Sequence, residues 1–200
     1  MITLNDLKRI CPQASSRRLA AVVDPLNAAM DEYRIGDNVG RETAFLAHLA
    51  HESGSFRYLR ELASGAAYEG REDLGNTEPG DGRVFKGWGW MQTTGRKNTR
   101  NVSLRLFGDE RLIEDPALID PPSLELAARA AGDFWTIGAG ENLSRRALAA
   151  GAPVGVNLND LADRADASSA FTLITLCING GLNGYADRVA YWERAKEVLA

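Results

Sequence analysis

Two glutamates near the middle of the chain have the spacing and surroundings of an acid and a base. Residues 44–52 read Ala-Phe-Leu-Ala-His-Leu-Ala-His-Glu, so an apolar helical run ends at Glu52. Burial at the end of such a run favours the neutral form of a carboxyl group. Glu52 is therefore a candidate general acid.

A second carboxylate, Glu61, follows nine positions later in different surroundings. It lies beyond a break in the helical pattern at residues 53–55, close to Tyr58 and to the basic residues Arg57 and Arg60. Nearby cations keep a carboxylate ionised, as a general base requires. Glycoside hydrolysis uses such a pair, in which one group protonates the leaving oxygen while the other activates water or attacks the sugar.

The composition predicts a helical globule that does not bind nucleic acid. The 200 residues are 44% hydrophobic and 25% charged, which is enough apolar material for one real core. A net charge of −4 without a basic stripe does not suit a phosphate backbone. Cys11 and Cys177 lie in apolar helical contexts, and we expect both to be buried free thiols.

The sequence also predicts where the chain resides. No apolar run reaches the length of a membrane span, and the N-terminus lacks a basic segment followed by a long apolar stretch. We therefore expect a protein made in the cytoplasm, with no integral membrane segment and no export signal of its own.

Helical patterning covers most of the chain, which we expect to form one domain over residues 1–200, with residues 1–36 as a helical part packed on it. The predicted helices are one capped by Thr3 or Asn5 and stopped by Pro12, one over 17–33 with a kink or a new start at Pro25, one over 41–53, one over 95–107, one begun by Pro121 and Pro122, one begun by Asn159 or Asp160, one from Asp166 or Ser168 through Leu176, and one opened by Asn183.

Residues 62–90 interrupt the helical pattern with seven glycines and little periodicity. Loops of this length are uncommon inside a compact domain and are often functional. We expect this segment to form one wall of a binding cleft, with a short β-hairpin near residues 83–93.

Four stretches of the sequence stand in one order and register. They are His-Glu-Ser-Gly at 51–54, Tyr-Glu-Gly-Arg and Leu-Gly-Asn within 68–76, Gly-Trp-Gly-Trp-Met-Gln-Thr-Thr-Gly-Arg-Lys-Asn at 87–98, and Ile-Asn-Gly-Gly-Leu-Asn-Gly with Asp-Arg within 178–188. Together they resemble glycoside hydrolase family 19, and within it the phage and prophage endolysins. The resemblance covers essentially the whole chain. It implies a mainly α, lysozyme-like fold with two lobes about a central cleft and cleavage of β-1,4 bonds between N-acetylated aminosugars with inversion.

The resemblance also implies a role for each matching residue. Glu52 would be the acid, Glu61 the base, and Thr94 the residue that holds the attacking water. Inversion would require the two carboxyl groups to lie roughly 6.5–9.5 Å apart. The implied substrate-binding residues are His51, Glu69, Trp88, Gln92, Asn98, Asn179 and Arg188, of which Arg188 would reach toward the carboxylates.

Two of these assignments leave an alternative open, and the sequence departs from the family pattern at two positions. Glu69 could be the base in place of Glu61, or it could fix the glycine-rich loop through ion pairs with Arg71. Trp88 stands where the family pattern has arginine, and with Trp90 it could stack on sugar rings or belong to the core. The tyrosine usual after Asn98 in the family is also missing, since residue 99 is threonine.

We therefore expect a monomeric peptidoglycan hydrolase that needs no cofactor or metal and whose partners are the glycan chains of the wall. The family resemblance implies that it waits in the host bacterial cytoplasm and reaches the wall at lysis. Three alternatives remain: a chitinase of the same fold, a non-catalytic wall-binding module, and a metal-dependent amidase using His48 and His51. The amidase alternative is the weakest on sequence, because the chain has no third histidine and no His-Glu-x-x-His order.

Overall fold

The computed structural model describes residues 1–120 and 124–200, and most of these residues lie in helices. In chain order the helices are α1 (Leu4–Ile10), α2 (Ser16–Glu32), α3 (Val39–Glu52), α4 (Asp81–Val84), α5 (Arg96–Phe107), α6 (Arg111–Glu114), α7 (Leu124–Asp133), α8 (Ala139–Glu141), α9 (Arg145–Ala149), α10 (Leu158–Ala162), α11 (Ala167–Asn179) and α12 (Tyr185–Leu199). The mainly α fold predicted from the sequence is confirmed.

Helix starts agree with the local capping chemistry. The Thr3 hydroxyl accepts a hydrogen bond from the Asp6 amide, and the Asp6 carboxylate accepts one from the Thr3 amide, which makes a capping box. Asn38 caps α3 and Asp166 caps α11 through their side-chain oxygens. These polar side chains therefore set the starting points of three helices that the sequence predicted.

Two predictions about proline have different outcomes. α2 runs through Pro25 as a single helix, so the new helix start predicted at this proline is wrong. The kink predicted as the other possibility stays a prediction. A proline costs a helix one hydrogen bond, and here Leu19, Val22, Leu26 and Met30 bury one face of α2 on both sides of Pro25. The helix start predicted at Pro121 and Pro122 lies outside the described residues.

α3 lies at the centre of the molecule. Every residue from Glu42 to Ala50 is buried, and α12 packs along this helix. α1 packs on α12, and α2 packs on α7. Cys11 and Cys177 are free and buried, as predicted, and burial raises the pKa of each thiol to about 11.

His48 belongs to this core. Its side chain is fully buried, with Nδ1 at 2.8 Å from the Ala44 carbonyl and Nε2 at 3.0 Å from the Thr175 hydroxyl. Burial, reinforced by the charge of Arg188, lowers the pKa of His48 to about 3. His48 is a neutral core residue whose two ring nitrogens already have protein partners, so it does not fit the role of a metal ligand beside His51.

The glycine-rich segment, residues 62–90, folds without forming a β-sheet. Within the described residues it contains short helical turns, among them α4, and only isolated bridges, from Trp88 to Arg60 and from Trp88 to Thr93. The predicted hairpin near 83–93 is therefore wrong, because α4 occupies its first part and residues 88–93 close on themselves through one mutual backbone pair.

Close backbone crossings take the place of strand pairing in this segment. Gly65 has φ of 78°, and a Cβ there would lie 2.1 Å from the Gly82 carbonyl oxygen. A Cβ at Gly82 would in turn lie 2.4 Å from the Glu69 amide nitrogen. The segment can cross itself only because these positions carry no side chain.

In residues 1–120 and 124–200, no helix is both long and apolar enough to cross a membrane.

His48→Gln tests the buried histidine. The folded-state pKa of about 3 lies below the ordinary 6.5, so the unfolded chain binds the extra proton between these values. The free energy of unfolding should therefore fall as the pH drops from 6.5, by up to about 1.4 kcal/mol per pH unit. Urea unfolding measured between pH 7 and pH 4 should show that the free energy of unfolding depends less steeply on pH in His48→Gln than in the wild-type protein. An unchanged pH dependence would contradict this account.

Gly65→Ala tests the backbone crossing, with Gly70→Ala as its matched control. Both glycines have positive φ, but a Cβ at Gly70 meets no atom within 4 Å. The control should lose only the backbone cost of about 1–2 kcal/mol. We expect Gly65→Ala to lose at least a further ~1 kcal/mol in chemical unfolding because of the clash. Equal losses would show that the crossing is not tight.

Candidate active site

Glu52 is the last residue of α3, and it contacts a buried cation rather than apolar side chains. Its side chain is 24% exposed, and its Oε1 accepts a hydrogen bond of 2.5 Å from Nη2 of Arg188, which is 1% exposed. Glu52 Oε2 has no hydrogen-bond partner in the described part of the chain. The contact agrees with the expectation from the family resemblance that Arg188 would reach toward the carboxylates, and packing of α12 along α3 brings it to the end of that helix.

Glu61 is held by neutral donors. Its Oε1 accepts a hydrogen bond of 3.1 Å from the Tyr68 hydroxyl, and its Oε2 accepts one of 2.9 Å from the Gly87 amide. The Glu61 amide also donates to the Gly87 carbonyl at 2.8 Å. Burial, together with the bond to Glu61, raises the pKa of Tyr68, so its hydroxyl stays a donor at neutral pH.

The arginines predicted to surround Glu61 have other contacts. The guanidinium of Arg57 lies 5.1 Å from the centre of the Tyr58 ring, and that of Arg60 lies 4.7 Å from the centre of the Trp88 ring. Both arginines are exposed. Neither arginine hydrogen-bonds to Glu61, whose carboxylate is held by Tyr68 and Gly87 instead.

Gln92, Thr94 and Asn98 adjoin Glu61 through Gly87. A Cβ at Gly87 would lie 2.4 Å from Gln92 Oε1, so the amide packs directly on this glycine. The Thr94 hydroxyl donates to the Gln92 carbonyl at 2.8 Å, and the Asn98 amide donates to the Thr94 carbonyl at 2.8 Å. The structure thus brings the predicted base together with three of the other predicted residues.

A cavity of about 210 Å³ opens beside this group. The polar residues that line it are Gln92, Thr93, Thr94, Asn98 and Asn142 and the charged residues Arg105, Asp133 and Glu141. The apolar lining includes Leu74, Met91, Val102 and Phe134. Amides set against apolar surface suit a ligand that carries acetamido groups on a sugar ring.

His51 and Asn179 have hydrogen-bond partners outside the carboxylate pair. The ring of His51 binds Asp187 through Nδ1 at 2.7 Å and packs on Gly184, where a Cβ would lie 2.3 Å from the ring. Asn179 ends α11, and its amide donates to the Asn183 carbonyl at 3.3 Å. Neither side chain hydrogen-bonds to a carboxylate of the acid and base pair, and the partner of His51 is Asp187 rather than Glu52.

Glu69 is held by backbone amides. Its carboxylate accepts hydrogen bonds from the amides of Gly80 and Gly82, at 2.6 and 2.9 Å. Glu69 does fix the glycine-rich loop, but through these amides and not through Arg71, which pairs with Asp73.

Trp88 is a core residue in this structure. It is 5% exposed, its indole N–H donates to the Val84 carbonyl at 2.9 Å, and Trp90 beside it is fully buried. The alternative in which both rings stack on sugars is therefore wrong, because neither ring has an open face.

Several polar groups near the site were not among the predicted site residues. One is Tyr68, whose hydroxyl donates to Glu61. Asp133 is 1% exposed and pairs with Arg105 in the cavity wall, with Nε to Oδ1 at 2.7 Å. An acidic residue within the run Ala-Ala-Gly-Asp-Phe-Trp at 130–135 was the available signal, because such a residue in an apolar helix needs a buried partner.

Comparison with solved structures identifies the fold. No family model matches the sequence. The structure is similar to the crystal structure of a bacterial family 19 chitinase, with a TM-score of 0.72, 19% sequence identity, and coverage of 100% of this chain and 95% of that one. It is also similar to chitinase C from Streptomyces griseus HUT6037, with a TM-score of 0.69, 18% identity, and coverage of 99% and 76%. This chain therefore has the fold of the family 19 chitinases.

Proposed function

We propose that this protein is an inverting glycoside hydrolase that cleaves β-1,4 bonds in the glycan chains of peptidoglycan. The observation that carries the proposal is the pair Glu52 and Glu61, two half-buried carboxylates with separate hydrogen-bond partners at the two ends of one short connection. The fold shared with family 19 chitinases supports it.

Glu52 acts as the general acid in this proposal. Arg188 holds Oε1, so Oε2 is the oxygen that carries the proton to the bridging oxygen of the glycan. As the bond between C1 and the bridging oxygen breaks, the proton moves to the leaving sugar and Glu52 becomes a carboxylate. The buried guanidinium of Arg188 stabilises that developing charge.

Glu61 acts as the general base. Its two oxygens accept hydrogen bonds from Tyr68 and Gly87, which orients the carboxylate without neutralising it. One water proton moves to Glu61 while the water oxygen bonds to C1 from the opposite face of the sugar. The Thr94 hydroxyl already donates to the Gln92 carbonyl, so its oxygen is available to accept the second water proton.

The cavity beside Gln92 serves the sugar. The amides of Gln92, Asn98 and Asn142 can donate to and accept from acetamido and hydroxyl groups, while Met91 and Phe134 provide apolar surface for the ring. This lining contains no metal ligand set, and the two carboxylates supply the acid and the base of the reaction.

Charge favours peptidoglycan as the polymer. Arg57 and Arg60 stand on the connection between the two carboxylates, both exposed and both stacked on rings rather than paired with acidic residues of the described chain. Peptidoglycan carries carboxylates on its lactyl and peptide groups, whereas chitin is neutral. Chitin is the second candidate, because the similar solved structures are chitinases. With peptidoglycan as substrate, we further propose that the enzyme acts as an endolysin, held in the host cytoplasm until lysis.

Glu52→Gln and Glu61→Gln test the chemistry. Each variant should lower kcat on the cleaved polymer by about 10²–10⁴-fold, because each removes one proton-transfer group. Digestion in heavy-oxygen water with mass spectrometry should place the label on C1 of the new reducing end, and proton NMR should show the α-anomer first.

Glu197→Gln is the control for these variants, because it removes an exposed carboxylate of α12. Full activity in Glu61→Gln would contradict the base assignment. Wild-type protein that sediments with cell walls but releases no reducing ends would make the protein a wall-binding module instead.

The double variant Arg57→Gln and Arg60→Gln tests the choice of polymer. Two exposed charge contacts contribute up to about 1 kcal/mol each, so KM for peptidoglycan should rise about three- to tenfold and the effect should fade at high salt. KM for chitin oligomers should change less than about twofold. Arg9→Gln with Arg17→Gln gives the same change in net charge on the N-terminal helices. An equal rise for both polymers would refute the charge argument.

A further inference from the structure

The connection between the two carboxylates has a costly backbone conformation. Gly54, Ser55 and Phe56 are consecutive, and their φ angles are 58°, 60° and 61°. Residues with a side chain cost about 1–2 kcal/mol each in this left-handed region. Ser55 and Phe56 therefore need tertiary contacts to stay there, and such strain is most often found at functional sites.

A buried polar network holds Ser55. Its hydroxyl is 2.7 Å from the Tyr191 hydroxyl and accepts a hydrogen bond of 2.7 Å from the side-chain amide of Gln13, which also donates to Tyr191. Ser55 is 2% exposed and Tyr191 is 4% exposed, so water competes little with these bonds.

The same helix holds the turn and the acid. Tyr191 lies three positions after Arg188 on α12, so the two side chains stand one turn apart on one face. Arg188 holds the Glu52 carboxylate before the turn, and Tyr191 holds Ser55 within it. α12 therefore determines both where Glu52 points and how the chain leaves it.

Phe56, at the end of the turn, packs against the segment whose residue Gly87 holds Glu61. The ring of Phe56 packs edge-on against Trp90, with ring centres 5.5 Å apart, and Trp90 lies two residues before Gln92. The Phe56 amide donates to the Ser53 hydroxyl at 2.7 Å, which closes the turn on itself. A shift of the turn would consequently move Trp90, and with it the neighbouring residue Gly87 that holds Glu61, relative to Glu52.

From this arrangement we infer that Ser55 and Tyr191 are positioning residues, whose paired hydroxyls set the separation between Glu52 and Glu61. The inference rests on the proposed hydrolase function for its catalytic consequence. Burial raises the pKa of Tyr191, so its hydroxyl stays protonated and keeps the bond at neutral pH.

Tyr191→Phe tests the inference, because it removes one hydroxyl and keeps the ring on which Arg194 stacks. A displacement near 1 Å can cost about 10²-fold in rate. We therefore expect kcat to fall about ten- to a hundredfold with KM changed less than about twofold. Tyr185→Phe is the matched control, because Tyr185 lies on α12 like Tyr191 and its hydroxyl bonds to Thr172 of α11. This variant should keep kcat within about twofold.

Ser55→Gly separates strain from positioning. Glycine tolerates positive φ, so relief of strain alone would leave kcat unchanged and the fold more stable. Positioning by the hydroxyl instead predicts a loss of kcat similar to that of Tyr191→Phe despite the more permissive backbone. Wild-type kcat in both Ser55→Gly and Tyr191→Phe would overturn the inference.

Crystal structures make the test independent of activity. The separation of the Glu52 and Glu61 carboxyl groups should change by about 1 Å in Tyr191→Phe and not in Tyr185→Phe. An unchanged separation overturns the inference even if the wild-type protein cleaves neither polymer. Conversely, normal kcat in Tyr191→Phe alongside an inactive Glu52→Gln removes the positioning role and leaves the proposed function intact.

Discussion

The ion pair of Arg188 with Glu52 is the interaction on which the arrangement of the site depends. A guanidinium that is 1% exposed needs an anion, and Glu52 is the one that contacts it. Nε and Nη1 of Arg188 have no hydrogen-bond partner in the described residues, so almost all of its compensation comes from this carboxylate. Packing of α12 along α3 and orientation of the acid are therefore one and the same constraint.

In the proposed mechanism, Arg188 also shapes the proton transfer from Glu52. A general acid is neutral before it reacts and anionic afterwards, and Arg188 interacts more strongly with the anion. The cation thus stabilises the state that forms as the glycosidic bond breaks, and interactions that strengthen toward the transition state are those that accelerate a reaction. Glu61 has the complementary arrangement, since hydrogen-bond donors without net charge hold it.

The sequence predicts local structure well and the surroundings of the carboxylates poorly. Capping side chains such as Thr3, Asn38 and Asp166 act within three residues, so the helix starts can be predicted from neighbours in the chain. The partner of Glu52 lies on α12, far along the sequence, so the family resemblance indicated that contact and no local pattern did. The burial of Trp88 likewise depends on how the glycine-rich segment crosses itself, which the glycine content alone does not reveal.

Gly87 limits how such a site can diversify. Its amide binds Glu61, and a Cβ at this position would lie 2.4 Å from Gln92 Oε1. Any larger residue at position 87 would therefore displace the Gln92 amide group from its place beside the residue that holds Glu61. Descendants of this protein with new glycan preferences should therefore carry their substitutions at exposed side chains around the site. Those side chains can change without moving the Gln92 amide group relative to the Glu61 carboxylate.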